Sequence, residues 1–459
     1  MKKTILVIGG LAAGPSAAAK IKRVNPNADV ILFEQGEYIS YGICEIPYYI
    51  AGEVSDEKKL KPYSPQTFSE IKDVTVKIFH RVEQIIPQKK MLVVRDLSRG
   101  ELREYKYNAL IIATGSTPKK LNIENENARN VFHVKSLDDG IAIKKFVDED
   151  MPKKAIIIGG GYVGMEMAET LRRRKCDVTI LHQRNLPMKG LENNVREKIL
   201  ETLSANGVEF VSNVKTESFL LGRNGNRGKS ELVTHVFTNK GTFEADIVIL
   251  SLGVVPNVMI AKSARIRIGK LGGIITDSKQ MTSVENIFAA GDCCEIKNIV
   301  NGKPMLLPLA TIASKQGWIA GENAAGGNAK FSGVIRAIAL RLFDLEIAHV
   351  GISSDEAKES GFDVHVEKIS THNKISFMPE SSRINIIGIF DKRSGRILGA
   401  NLFGSEGTVL RANTLSVAIQ HKLTAQQISD LDVAYAPPFS PLWDAVLVLG
   451  NAARKNVHR

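Results

Sequence analysis

Cys44 sits in the stretch YISYGICEIPYYIAG, Tyr38 to Gly52, with no other cysteine within four residues on either side. A thiol attacks only as thiolate, and a free cysteine with a pKa near ~8.5 is a few per cent ionised at neutral pH. Chemistry at Cys44 therefore needs positive potential or hydrogen-bond donors beside the sulfur. The residues that follow predict a short helix starting at Pro47, whose first N–H groups would face the sulfur. A lone thiol can form a mixed disulfide with a substrate thiol, or a sulfenic acid. The alternative is a small buried hydrophobe.

The remaining cysteines read as structural. Cys293 and Cys294 are adjacent, and a disulfide between neighbours is strained; Cys176 falls where a helix passes into a strand. Four cysteines in 459 residues make no disulfide framework, and free thiols are the expected state. His349, His365 and His372 lack metal-ligand spacing. Trp318 and Trp443 read as packing residues.

Elements able to position such a thiol come as an internal repeat. TILVIGGLAAGPSAAAKIKRVNPNADVILFEQ (Thr4 to Gln35) and KAIIIGGGYVGMEMAETLRRRKCDVTILHQ (Lys154 to Gln183) share one layout. Each is a β-branched run, a glycine turn, an alanine-rich helix and a second β-branched run, which is a βαβ unit with a phosphate-binding turn. The second copy fills G-x-G-x-x-G with Gly159, Gly161 and Gly164; the first keeps Gly9 and Gly14 but has Leu11 in the middle slot. Two copies imply two nucleotides, each pyrophosphate resting on a helix N-terminus.

The ends of the second strands separate the two sites. Glu34 is at the right distance to accept from a ribose hydroxyl pair, which suits an adenine dinucleotide without a 2′-phosphate. In the second copy His182, Gln183 and Arg184 stand where that acid would be. His182 and Arg184 could bind a 2′-phosphate that a carboxylate would repel, favouring NADPH while leaving NADH possible. Alternatively, Arg184 is a solvated loop charge.

Three more segments fit a flavoprotein holding FAD. LIIATGSTP (Leu110 to Pro118) is a buried strand with a tight turn at Gly115, suited to a crossing between domains. VILSLGVVPN (Val248 to Asn257) repeats the pattern around Gly253. VENIFAAGDCCE (Val284 to Glu295) delivers Asp292, a carboxylate able to hold a ribityl hydroxyl. Their order predicts an α/β chain with two Rossmann-like dinucleotide-binding domains, one inserted in the other. The FAD domain is expected at 1–117 and 251–325, the NAD(P)H domain at 118–250, and an α+β domain at 330–459 containing the hairpin INIIGIFDKRSGRILGANLFG.

Composition narrows the partners. The formal charge of +12 implies affinity for polyanions, but no zinc-finger spacing or aromatic-rich basic block points to nucleic acid. A phosphate-bearing small molecule accounts for the same charge. No apolar run reaches the roughly 18 residues of a membrane span. MKKTILVIGGLAAG superficially resembles a signal peptide, yet its glycines fit a strand-turn-helix, so a cytoplasmic protein is expected.

Taken in this order, the glycine turns, ATG, AAGD and the C-terminal α+β segment resemble the FAD-dependent pyridine nucleotide–disulfide oxidoreductases over essentially the whole chain. YISYGICEIPYYIAG resembles the single-cysteine branch, which includes coenzyme A disulfide reductase, NADH oxidase, NADH peroxidase and polysulfide reductases. DLDVAYAPPFSPLWDAV (Asp430 to Val446) is similar to the coenzyme A disulfide reductase type. The resemblance implies a homodimer made by the C-terminal domain, with shared active sites in which Tyr435 lies near Cys44 of the other chain. It further implies a relay in which NADPH reduces FAD and reduced FAD opens a bond between Cys44 and a second sulfur. Coenzyme A would lie along the first helix on Ser16, Lys20 and Arg23, with Ser40 and Lys72; alternatively Lys20, Lys22 and Arg23 are a solvated helix face.

Oxidase and peroxidase relatives place a histidine in the first glycine turn, where this chain has Ala12. That favours disulfide chemistry over the alternative of an NAD(P)H oxidase or peroxidase using a sulfenic acid. A second alternative is an electron-transfer or redox-sensing flavoprotein. Ile43 and Glu45 beside the cysteine, and Phe377 and Met378 where relatives carry a tyrosine pair, depart from the coenzyme A enzymes and leave room for a polysulfide or another small disulfide.

Overall fold

The computed structural model describes residues 3–222 and 231–457; Met1 and Lys2, at the start of the segment resembling a signal peptide, lie outside them. Five parallel strands form the first sheet, in the order Ile287–Ala289, Ala109–Ile112, Thr4–Ile8, Asp29–Phe33, Thr75–Lys77. Its central strands are near-continuous apolar runs because both faces are covered; Ile5, Leu6, Val7, Leu110 and Ile111 are all fully buried. A second five-stranded parallel sheet runs Val208–Val211, Asp177–Leu181, Lys154–Ile158, Ile247–Leu250, Val131–His133. Both place the glycine-turn strand in the centre, the shared layout of two Rossmann-like units.

Chain order shows the nesting. The first sheet takes strands from both sides of the second, and the two crossings meet: Ser116–Pro118 pairs antiparallel with Val254–Pro256. Thr114 and Asn257 tie them further, Thr114 Oγ1 donating to the Asn257 carbonyl at 2.6 Å and Asn257 Nδ2 returning to the Thr114 carbonyl at 2.9 Å. Each parallel sheet also carries a three-stranded antiparallel partner, residues 80–106 beside the first and strands Thr216–Gly222, Leu232–Thr238 and Gly241–Glu244 beside the second. The internal repeat thus extends beyond the βαβ units.

A five-stranded antiparallel sheet builds the C-terminal part, in the order Ala337–Leu342, Leu345–Gly351, Ile397–Gly404, Arg383–Asp391, Val364–His372. The hairpin expected at 384–404 is its centre. Helices Thr408–Gln420, Ala425–Ser429 and Ala445–Ala453 contribute to the core on this sheet. Among the described residues, no helix is long and apolar enough to cross a membrane.

One helix pair sets how the first glycine turn is supported. Helix Ala310–Ala324 lies against Ala13–Val24 through small residues. A Cβ on Gly317 would sit 2.1 Å from the Ala13 carbonyl oxygen, and one on Gly321 would sit 2.4 Å from that of Ala17. Both obstacles are backbone, so the helices would have to separate. Gly317→Ala should lower the unfolding free energy by at least ~1–3 kcal/mol, the usual cost of overpacking, in denaturant titrations. A change within ~0.5 kcal/mol, the usual range for a surface substitution, would show that the helix pair can relax freely.

Candidate active site

The two glycine turns are built by the same close approach. A Cβ on Gly9 would lie 2.1 Å from the Ala113 carbonyl oxygen, and one on Gly14 would lie 1.8 Å from that of Gly9. Gly159 and Gly164 repeat this against Ser251 and Gly159, at 2.2 Å each. A Cβ on Gly161 meets nothing within 4 Å, so the middle position faces open space. Packing therefore tolerates Leu11 in the first copy, and the motif's gap costs the fold nothing. The second turn leaves a cradle at Gly161 that a side chain would fill, as a bound pyrophosphate requires.

Glu34 and His182 do one job in two chemistries. Glu34 Oε2 accepts from the Gly10 N–H at 2.7 Å, and Oε1 accepts from the Gly36 N–H at 2.8 Å. His182 Nδ1 accepts from the Gly160 N–H at 3.0 Å, which puts the ring proton on Nε2. Burial, then the Arg184 charge, hold His182 below the ordinary histidine range. It is a neutral brace for the turn and supplies no cation, so positive charge at that strand end rests on Arg184. Lys189 and Lys215, absent from the sequence reading, line the same 650 Å3 cavity, together with Gly159, Gly161 and Gly253. Their contribution needs the loops after two different strands to converge, which no local motif announces.

Glu34 and Gly9 line a separate cavity of about 350 Å3 with Thr114, Thr117 and Asn257. Gly115 and Gly253 both take positive φ, +66° and +86°, at the two crossings. Asp292 follows Gly291 (φ +87°) and accepts from Ser116 Oγ at 2.8 Å and Lys135 Nζ at 3.0 Å. Glu34, Asp292, the first glycine turn and the open cradle at Gly161 are a donor and acceptor set that fits two dinucleotides, one of them a flavin.

Cys44 lies in a loop pinned to the first turn, since the Ser40 N–H donates to the Gly10 carbonyl at 2.8 Å. Helix Ile46–Ala51 follows, with Pro47 in its first turn and Ile46 and Ile50 fully buried. The thiol is free and exposed in this chain. Desolvation at the site, then the carboxylates of Glu45 and Glu166, push Cys44 up; Lys135 pulls it down and Asp292 opposes. The expected positive surroundings are thus confined to Lys135. A capping box places that lysine: Ser136 caps helix Leu137–Asp150, and Asp139 reaches back to the Lys135 N–H at 3.0 Å. Burial, then Glu169, push Glu166 up to about 7. Neither Lys135 nor Glu166 was anticipated, although the capping pattern KSLDD and the carboxylate just after Gly164 were visible.

Ser16, Lys20, Arg23, Ser40 and Lys72 all line one cavity of about 610 Å3. Lys22 does not; it bonds the Pro26 and Ala28 carbonyls and pairs with Asp73. The basic helix face therefore divides into a structural lysine and two cations at the cavity. Trp318 also lines it and is 43 % exposed, and Trp443 is 56 % exposed, so neither is the packing residue expected. Tyr435, 47 % exposed on the C-terminal part, is not among the residues lining these three cavities. Phe377, Leu410, Phe439 and Leu442, also in the C-terminal part, are all at least 70 % exposed. Cys176, Cys293 and Cys294 are buried free thiols, the adjacent pair 3.8 Å apart.

Because like charges raise a thiol pKa, removing Glu45 should lower that of Cys44, and removing Lys135 should raise it. Glu45→Gln should move the pH midpoint of Cys44 alkylation down and Lys135→Met should move it up, as followed by peptide mass spectrometry. Unmoved midpoints in both variants would contradict this electrostatic account.

Comparison with known proteins matches this geometry. Residues 3–317 match the family model described as pyridine nucleotide-disulphide oxidoreductase, and 339–445 match its dimerisation domain. The chain is 33 % identical over 455 residues to a Pyrococcus horikoshii protein named NAD(P)H coenzyme A polysulfide/persulfide reductase, covering 99 % of each. It is 29 % identical over 454 residues to a Methanocaldococcus jannaschii NADH oxidase, covering 98 % of this chain and 99 % of that one. The crystal structure of reduced Bacillus anthracis CoADR-RHD superposes with a TM-score of 0.94 at 30 % identity, over 99 % of this chain and 80 % of that one. The chain belongs to the pyridine nucleotide–disulfide oxidoreductases, flavoprotein enzymes that use FAD and NAD(P)H, and it carries their dimerisation domain.

Proposed function

We propose that this protein is an NADPH-dependent flavoprotein reductase of coenzyme A disulfide, or of a related low-molecular-weight disulfide or polysulfide, acting through Cys44. The observation that carries the proposal is the convergence of Ser16, Lys20, Arg23, Ser40 and Lys72 on one cavity whose wall ends at the Cys44 loop. FAD would occupy 1–117 with 251–325, held by Gly9, Gly14, Glu34, Gly115 and Asp292. NADPH would occupy 118–250, on Gly159, Gly161, Gly164 and Gly253, with Arg184 facing the 2′-phosphate. Residues 330–459 would form a homodimer that brings the partner subunit's Tyr435 to Cys44. Exposed Phe377, Leu410, Phe439 and Leu442 support that use of the C-terminal face. A cytoplasmic setting agrees with four free thiols.

In this scheme the Cys44 thiolate attacks one sulfur of the substrate disulfide, forming a mixed disulfide and releasing one thiol. A bound flavin supplies the transfer of the NADPH electron pair that opens that mixed disulfide, so one NADPH and one proton yield two thiols. Lys135 stabilises the thiolate, and Glu166 holds a proton near neutral pH within electrostatic reach of the sulfur. No second protein cysteine is needed, because the substrate's own thiol leaves first.

Cys44→Ser should abolish reduction of coenzyme A disulfide while NADPH still bleaches the flavin, and the purified wild type should carry a thiol-sensitive coenzyme A adduct on Cys44 by mass spectrometry. Rapid reoxidation by peroxide through a Cys44 sulfenic acid, with no response to coenzyme A disulfide, would instead establish the oxidase or peroxidase alternative. Unimpaired function in Cys44→Ser would point to electron transfer or sensing.

Cofactor choice has its own test. Losing a charge-assisted hydrogen bond costs ~1.5–3 kcal/mol, so Arg184→Ala should raise KM for NADPH about ten-fold or more and leave KM for NADH nearly unchanged. Equal effects on the two would remove Arg184 from 2′-phosphate recognition.

A further inference from the structure

The cavity along the first helix has a direction. Its near end is fixed by Ser40, whose N–H bonds Gly10, and by Ser16, whose Oγ lies 3.3 Å from Ser314 Oγ. At a helical rise of about 1.5 Å per residue, Lys20 lies about 6 Å and Arg23 about 10 Å further from the glycine turn than Ser16. The two packed helices run side by side in the same direction, since Gly317 meets Ala13 and Gly321 meets Ala17. Trp318, four residues after Ser314, stands against Lys20, four residues after Ser16, one turn beyond the near end.

At that level the ligand cavity carries an exposed indole with a fixed cation. Lys20 Nζ sits 3.6 Å from the Trp318 ring centroid and pairs with Glu322 at 2.8 Å. The ammonium is therefore already held by a carboxylate and a π face, and it braces the indole as much as it offers charge. A 43 % exposed tryptophan lining a cavity is a costly use of apolar surface unless something planar covers it. Arg23, one turn further out and exposed, is placed to meet a phosphate beside such a plane.

We infer that Trp318 is the base platform of this site: the adenine of coenzyme A stacks on its indole, with the 3′-phosphate toward Arg23 and the thiol end toward Ser40 and Cys44. Lys20 acts as a positioning residue for the ring. This rests on the coenzyme A reading proposed above. It also gives the ligand an orientation that the list of cations alone leaves open.

The test uses the holoenzyme in a Trp443→Phe background, where Trp318 is the single tryptophan of the two in the chain. Coenzyme A should quench its fluorescence, and 4′-phosphopantetheine, which lacks the adenosine, should not. Base stacking on an aromatic side chain is lost on alanine substitution at a cost of about ten-fold in affinity or more. Trp318→Ala should therefore weaken coenzyme A by that factor and leave 4′-phosphopantetheine unaffected, with Trp318→Phe recovering most of the loss. Undiminished coenzyme A binding in Trp318→Ala would remove the platform and leave the coenzyme A reading standing. Failure of the wild type to bind either compound would overturn that reading and the platform with it.

Discussion

In both nucleotide turns one backbone N–H is held by the side chain that ends the neighbouring strand, and much of the molecule follows from which side chain that is. Gly10 donates to Glu34 and Gly160 donates to His182. The turn must be locked because its glycines bring backbone within 2.2 Å of where a Cβ would stand, leaving no slack for a shifted loop. A carboxylate locks the first turn and keeps lone pairs for hydroxyl donors. An imidazole locks the second with one nitrogen and brings no negative charge. One geometry thus yields two strand ends of different charge, a carboxylate at the first turn and a neutral ring at the second.

The same lock reaches Cys44. Gly10, held by Glu34 through its N–H, accepts from Ser40 through its carbonyl, so the Cys44 loop hangs from the first glycine turn. On its other side the helix after Cys44 buries Ile46 and Ile50 in the core that contains Met165 and Met167 of the second unit. An ion network completes the clamp, with Arg341 contacting both Glu53 and Glu169. The sulfur is therefore positioned by three parts of the chain at once. Its immediate surroundings carry more negative than positive charge, which keeps it a thiol and makes each thiolate that forms the stronger nucleophile.

Local pattern made the architecture legible, because a βαβ unit writes its strands, turn and helix in consecutive residues. Gly9, Gly14, Glu34, Gly159, Gly164 and the hairpin at 384–404 could all be read that way. What stayed hidden depends on distance across the fold. Lys135 reaches Asp292 from a different domain, and Lys189 and Lys215 converge on Arg184 only because the loops after two strands share an edge. The antiparallel partners at 80–106 and 216–244 are short and half-exposed, so their alternation is weak. Trp318 belongs here too: tryptophan on a helix is usually buried, and only the fold shows its ring at the rim of the helix pair, against Lys20 and 43 % exposed.

Charge counting also changes meaning once partners are known. A net +12 suggests a broad affinity for polyanions, yet the cations that face a cavity are few and several are already engaged. Lys20 is matched by Glu322 and Lys22 by Asp73. Under the proposed coenzyme A reading, phosphate recognition along the first helix would then fall on Arg23 and Lys72, with Lys20 contributing through the ring it braces. A site of that kind selects less by total charge than by the spacing between a plane, a phosphate and a sulfur. Ile43 and Glu45 flank Cys44, and neither lines the cavity that holds Arg23, Lys72 and Trp318. In the proposed reading, the group next to the sulfur and the group on the indole are thus met by different residues, so a change in one need not change the other.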